Sequence, residues 1–239
     1  MKGLIVAIQF LTRLPTPRLA VTGEEFARSM RWFPAVGLIV GVLIAAAARL
    51  GTAIDPWMGA LLSSLIWVAV TGALHLDGLG DIADASGAAH KDRDKLLATL
   101  ADPHIGSFGT VTIAIQLIAK VILAHSLVER GLFAALALVP FVARMGPLLW
   151  TCLLPALHDG LGARFRGVVR PLDIAGWTMA LLGAGWFVPA LLTGPVLLLL
   201  WASWLKRRIG GLSGDGHGAG IEITESGLML AVLGVGAVI

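Results

Sequence analysis

HLDGLGDIADASGAAHKDRDKLLATLADPHIGSFG, residues 75–109, is the polar interruption around which the rest of the chain is organised. Long apolar runs lie on both sides of it. Within it Asp77, Asp81 and Asp84 are spaced i, i+4, i+7, which at helical pitch puts three carboxylates on one face. A one-sided row of like charges at the boundary of an apolar bundle repels itself. Hard divalent ions with oxygen ligands neutralise such a row best. The stretch therefore predicts a helical membrane protein with metal-assisted chemistry on a phosphorylated substrate at one of its faces. The alternative is a solvated loop with ordinary charges.

Composition supports the membrane reading. The chain has 239 residues, 57% hydrophobic and 14% charged, against about a quarter charged in a soluble domain. Its mean hydropathy is +0.86. Thirty glycines and eight tryptophans suit close helix packing and interfacial anchoring. The single cysteine, Cys152, excludes an intrachain disulfide. The net charge of +3 is read as basic loops that set topology, so no nucleic-acid partner is expected. No small-residue cleavage pattern follows the apolar start.

A spanning helix needs about 20 apolar residues. Runs at 32–50, 56–74, 106–127 and 132–154 qualify. Residues 174–205 are too long for one span, and Pro189, Gly194 and Pro195 predict a hairpin of two short helices there. A last span is expected at 220–239. The count is seven, or six if 174–205 is one broken helix. Leu4, Ile8 and Leu11 predict an N-terminal amphipathic helix at the interface, stopped by Pro15 and Pro17. The fold class is thus an all-α polytopic membrane bundle forming one domain over residues 1–239. Lys and Arg concentrate in segments that share a side if the N-terminus is cytoplasmic. That orientation places the polar loops 75–102, 158–173 and 206–225 together on the cytoplasmic face.

Other residues stand out beside the row. Asp102 can cap the third span or point to a metal. Gly106 and Gly109 mark a close approach, and His104 either contacts phosphate or sits at the interface. Asp92, Arg93, Asp94 and Lys95 read as a solvated face. Lys120 and Arg144 fall mid-span, where an ionisable group needs a partner, either the acidic loop or substrate phosphate, the alternative being a structural ion pair inside the bundle. GGLSGDGHGAGIEITE, residues 210–225, reads as a flexible turn whose N–H groups can wrap phosphate, with Gly214 in it and Asp215 as a further metal candidate. Glu222 and Glu225 are expected at the start of the last span.

Together TGALHLDGLGDIADASG, LADPHIGSFG, the span lysine, GGLSGDGHGAGIEITE and the opening FLTRLPTPR…WFPAVGLIVG resemble the adenosylcobinamide-GDP ribazoletransferase (cobalamin-5′-phosphate synthase) family over essentially the full length. The chain departs from the family pattern at Gly80, Ala85 and His104, and offers only His158 before Gly160. The resemblance implies a Mg²⁺-dependent inner-membrane transferase of substituted phosphate groups in late cobalamin biosynthesis. It would join adenosylcobinamide-GDP to α-ribazole or α-ribazole 5′-phosphate and release GMP. It implies Asp77, Asp81, Asp84 and Asp102 as catalytic residues, and these with Asp215 as metal ligands. His75, Gly78, His104, Gly106, Lys120, Arg144, Gly214 and Asp215 would bind substrate. Membrane lipid is an expected partner, and a homo-oligomer is left open. Two rivals remain. A CDP-alcohol-type phosphotransferase lacks its D-x-x-D-G-x-x-A-R pattern here, since Ala85-Ser86 follows Asp84. A cation transporter would be expected to place carboxylates mid-span.

Overall fold

The computed structural model describes residues 2–88 and 93–235; Asp92, expected on a solvated face, lies outside them. Thirteen helices follow one another among the described residues: α1 (Lys2–Leu11), α2 (Gly23–Ser29), α3 (Phe33–Gly51), α4 (Pro56–Thr71), α5 (Leu74–Ala88), α6 (Arg93–Ala101), α7 (Ser107–Glu129), α8 (Phe133–Ala143), α9 (Gly146–Leu153), α10 (Leu161–Arg164), α11 (Pro171–Phe187), α12 (Gly194–Arg208) and α13 (Gly214–Val235). Short 3₁₀ turns at Met30–Trp32 and Pro189–Thr193 join α2 to α3 and α11 to α12. The hairpin expected at 174–205 is present. By length and composition five helical stretches can cross a membrane, or six if α4 and α5 count as one bent span. The expected seven includes α11, whose 17 residues fall just short of that test. α1 has its apolar residues Val6, Ala7 and Leu11 buried in the bundle.

Local chemistry sets the elements that matter for the site. α4 starts where the Asp55 carboxylate accepts the Met58 N–H at 3.0 Å, with Pro56 in its first turn. It ends at Gly72, φ +61°, a left-handed position that suits glycine. Ala73 follows at φ +58°, and the two residues together turn the chain through 83° into α5. α5 is therefore not continuous with α4 and is not by itself among the crossing helices. In α3, Gly37 and Gly41 stand four apart against α8. A Cβ at Gly41 would meet the Ala137 carbonyl oxygen at 1.9 Å, so backbone packs on backbone as small residues permit.

The glycine-rich stretch 210–225 is not the predicted flexible loop. From Gly214 onward it is helix, and the last span starts there rather than at 220. Each helical glycine costs about 1 kcal/mol against alanine, and tertiary packing overrides that cost. A Cβ at Gly218 would stand 3.2 Å from the His75 Cα, and one at Gly220 would stand 2.4 Å from both Trp150 and Trp201. Those two indoles are tied in place by Nε1–H bonds to the Leu198 and Gly216 carbonyls.

This register moves Glu222 and Glu225 from the expected helix start to the buried middle of α13. There they answer the question that Lys120 and Arg144 pose. Lys120 Nζ lies 2.8 Å from Glu222 Oε2 and 2.6 Å from Glu225 Oε2, and Arg144 Nη1 donates to Glu225 Oε1 at 2.9 Å. Gln116 Nε2 donates to Glu222 Oε2 at 2.9 Å, and the Trp67 ring lies 4.1 Å from Lys120 Nζ. The expected partners, the acidic loop or substrate phosphate, are corrected: two cations are neutralised by two carboxylates of α13, and their charge is already spent inside the bundle. Removing one member strands the others, so Lys120→Met should destabilise the protein by about 3–5 kcal/mol. Adding Glu222→Gln to it should recover part of the loss. Thermal unfolding of both variants in detergent checks this, and equal melting of wild type and Lys120→Met would reject it.

Candidate active site

α5 presents the predicted row. Asp77, Asp81 and Asp84 all lie on this one helix, over about 10 Å at 1.5 Å per residue. α13 lies against it with no side chain between: a Cβ at Gly78 would stand 2.9 Å from the Asp215 Cα and carbonyl oxygen. That contact brings Asp215, far away in sequence, to the row. The carboxyl of Asp81 is pushed up to about 6, first by burial and then by Asp215, Asp77 and Asp84 around it. Four carboxylates thus share one neighbourhood.

The two ends of the row face different surroundings. At one end Asp77 and Asp215 line a cavity walled by Phe10, Leu11, Phe33 and Phe165, with His75 and His217 also lining it. At the other end Asp84 lines an open recess with Lys95, Thr99, Asp102, His104 and Ser107. Asp84 accepts the Gly106 N–H at 2.7 Å and the Gly109 N–H at 2.9 Å, and so occupies the start of α7. Here the sequence reading needs correcting. Asp102 does not cap α7, whose N-cap is Gly106. Asp102 instead accepts from the backbone N–H of His104 at 3.0 Å and meets His104 Nδ1 at 2.8 Å, contacts that hold its carboxyl below the usual range. Gly78 and Asp215 meet as expected, whereas Asp102 belongs to the recess beside Asp84. The solvent-exposed His104 and Gly106 lie there too. Gly214 lines the aromatic-walled cavity. Lys120 and Arg144 belong to the ion cluster already described.

The three polar segments meet at this end of the bundle, as expected. Leu157 N–H donates to the Leu212 carbonyl and Leu212 N–H to the Pro155 carbonyl. Phe165 packs on His217 at 6.2 Å, and Arg208 Nη2 donates to the Ser86 carbonyl. His217 was missed in the sequence, because its role comes only from α13 being helical there.

Donor chemistry at the row is all carboxylate oxygen, which fits Mg²⁺. Among the described residues, no three His, Cys, Asp or Glu side chains stand arranged to hold an ion by themselves. Mg²⁺ rarely needs that, since it is commonly bound by one or two carboxylates, waters and substrate phosphates. The crowding that raises Asp81 is what a cation relieves.

A sequence model described as cobalamin-5-phosphate synthase matches residues 3–233. A protein of Novosphingobium aromaticivorans named adenosylcobinamide-GDP ribazoletransferase is 58% identical over 236 residues, covering 97% of this chain and 96% of its own. Proteins of the same name from Thiobacillus denitrificans and Pseudomonas aeruginosa are 46% and 36% identical, covering 96% and 97% of this chain and 94% and 98% of their own. No solved structure matches. With a full-length match and a carboxylate row at one end of an all-α bundle, the chain belongs to the cobalamin-5-phosphate synthase family.

Proposed function

We propose that this protein is an adenosylcobinamide-GDP ribazoletransferase, a multi-pass membrane transferase of cobalamin biosynthesis. The observation that carries the reading is the row of Asp77, Asp81 and Asp84 joined by Asp215 between an aromatic-walled cavity and a polar recess. Two substrates meeting at a diphosphate need such an arrangement, a polar seat for one, an apolar seat for the other and oxygen donors between. The row would face the cytoplasm of an inner-membrane protein, as the basic segments favour.

In the reaction a ribose hydroxyl of α-ribazole, or of its 5′-phosphate, forms a new O–P bond at the phosphorus carried by cobinamide. The bond from that phosphorus to the bridging oxygen breaks, and GMP leaves with it. The hydroxyl proton goes to a carboxylate of the row that the metal does not engage. One or two of Asp77, Asp81 and Asp215 would hold Mg²⁺ together with the substrate diphosphate, whose charge the ion would help to neutralise. Asp84 is less free, because both its oxygens accept from the start of α7. Its role is to fix α7 and the recess against the row. Asp102, His104 and Gly106 line the recess with Lys95 and would receive the nucleotide end of the donor. Positioning and charge neutralisation supply most of the catalysis in such a transfer.

The rival readings lose their footing for different reasons. The CDP-alcohol-type motif is absent and the full-length match is to another family. A transporter would place carboxylates mid-span, and Glu222 and Glu225 are carboxylates in mid-helix. They are instead neutralised by Lys120 and Arg144, which leaves the cluster no negative charge for a transported cation.

Activity measured as GMP release should vanish with EDTA and return with Mg²⁺, and full activity in excess chelator would reject the metal. Asp77→Asn and Asp81→Asn should each lower the rate by about a hundredfold with folding intact. Asp94→Asn, on the exposed face of α6, should cost little; equal losses for all three would remove the distinction between row and solvated face. Asp81 also predicts a pH dependence. Its carboxyl is raised from 3.8 to about 6 in the folded protein, so the folded state holds that proton more tightly than the unfolded one. Its contribution is most favourable below about pH 4 and is lost as pH rises through 6. Wild type without Mg²⁺ should therefore lose stability relative to Asp81→Asn between pH 4 and 7, and saturating Mg²⁺ should shrink the difference. Parallel melting curves for the two proteins across that range would contradict it.

A further inference from the structure

The aromatic-walled cavity contains polar atoms that the transfer chemistry above does not use. His75 and His217 are 2% and 7% exposed, and both line it. His75 Nε2 and both ring nitrogens of His217 are buried without a hydrogen-bond partner. Three such atoms in one small space are costly unless something else meets them. Arg144 settles how one of them is protonated. Its Nη2 lies 3.4 Å from His75 Nδ1, and a guanidinium only donates. Nδ1 must therefore accept, and the proton of a neutral His75 sits on Nε2, the free nitrogen. The buried ion cluster thus orients a donor at the cavity as well as holding the helices together.

Shape and surface narrow the ligand. The cavity, partly open, measures about 110 Å³, somewhat less than the about 150 Å³ that takes one benzene ring and far too small for a corrin macrocycle. Phe10, Phe33 and Phe165 form its walls, with ring centroids 5.8–6.2 Å apart. At such spacings the three rings pack on one another and present one aromatic face to the cavity. The same cavity is lined by His75 and His217, whose unpartnered nitrogens are able to donate to a ring nitrogen, and by Asp77 and Asp215 of the carboxylate row. A flat, weakly polar heteroaromatic ring with an acceptor nitrogen matches every side of this space. The cavity's lining among the described residues includes no Lys or Arg for a nucleotide phosphate.

We propose that this cavity seats the benzimidazole base of the ribazole acceptor, with His75 and His217 hydrogen-bonding its ring nitrogen. This rests on the transferase reading above and assigns one of its two substrates to one end of the carboxylate row. The donor then enters from the polar recess at the other end. Arg144 is a positioning residue in this scheme, acting through the His75 tautomer.

Two measurements on the full-length detergent-solubilised protein test it. In wild type, free dimethylbenzimidazole should inhibit GMP release competitively against α-ribazole and not against adenosylcobinamide-GDP. Competition against the donor instead would overturn the assignment. His217→Leu removes both nitrogens and keeps an apolar side chain. It should raise the KM for α-ribazole about tenfold and leave the KM for adenosylcobinamide-GDP unchanged. Equal KM shifts for both substrates, or none, would count against the proposal, whereas wild-type protein with no ribazole-dependent GMP release would instead defeat the transferase reading beneath it. The competition pattern stands without any variant, so a His217→Leu protein that does not fold leaves the proposal open to rejection.

Discussion

Two cations and two carboxylates share one buried place where α7, α8 and α13 meet, and the rest of the bundle depends on their being matched. Lys120, Arg144, Glu222 and Glu225 come from three distant parts of the chain, and each would be prohibitive alone in an apolar interior. Paired, they fix which faces of three helices must turn inward. With α13 set by Glu222 and Glu225, its first turns lie along α5, and Asp215 comes to the row of Asp77, Asp81 and Asp84. Substituting an apolar side chain at one of these four positions therefore disturbs the site without touching it.

The second constraint is the elbow after α4. Gly72 and Ala73, both left-handed, turn the chain through 83°. A straight continuation would have kept the carboxylates on the axis of α4. The turn instead lays α5 across the end of the bundle, where the segments around 155–165 and 206–217 also converge.

Most of the fold was legible because hydropathy sets it. The apolar runs gave the crossing helices and the hairpin at Pro189–Thr193, and the i, i+4, i+7 spacing gave the carboxylate row. Three things were not legible. Glycine spacing alone cannot tell a loop from a helix that needs glycine for close packing, so residues 214–220 read as a turn. That error displaced Glu222 and Glu225 and hid the partners of Lys120 and Arg144, although Gln116 and Lys120 at i, i+4 facing Glu222 and Glu225 at i, i+3 was a findable signal. The carboxylate that secures the start of α7 was also assigned wrongly. Asp102 is near in sequence, but Asp84 reaches Gly106 and Gly109 across space, and only the packing of α5 on α7 reveals it.

The seam between α5 and α13 leaves almost no freedom for change. Gly78, Gly218 and Gly220 each sit where a single added carbon would crowd a neighbour, two of them against the opposing helix. Evolutionary or engineered retuning of the pocket cannot come from that side. A larger, smaller or differently substituted ring would be accommodated by altering the apolar wall, which includes Phe10, Leu11, Phe33 and Phe165. Substrate breadth within the family should therefore be written in the N-terminal helices and the segment around residue 165, while the reacting groups stay constant.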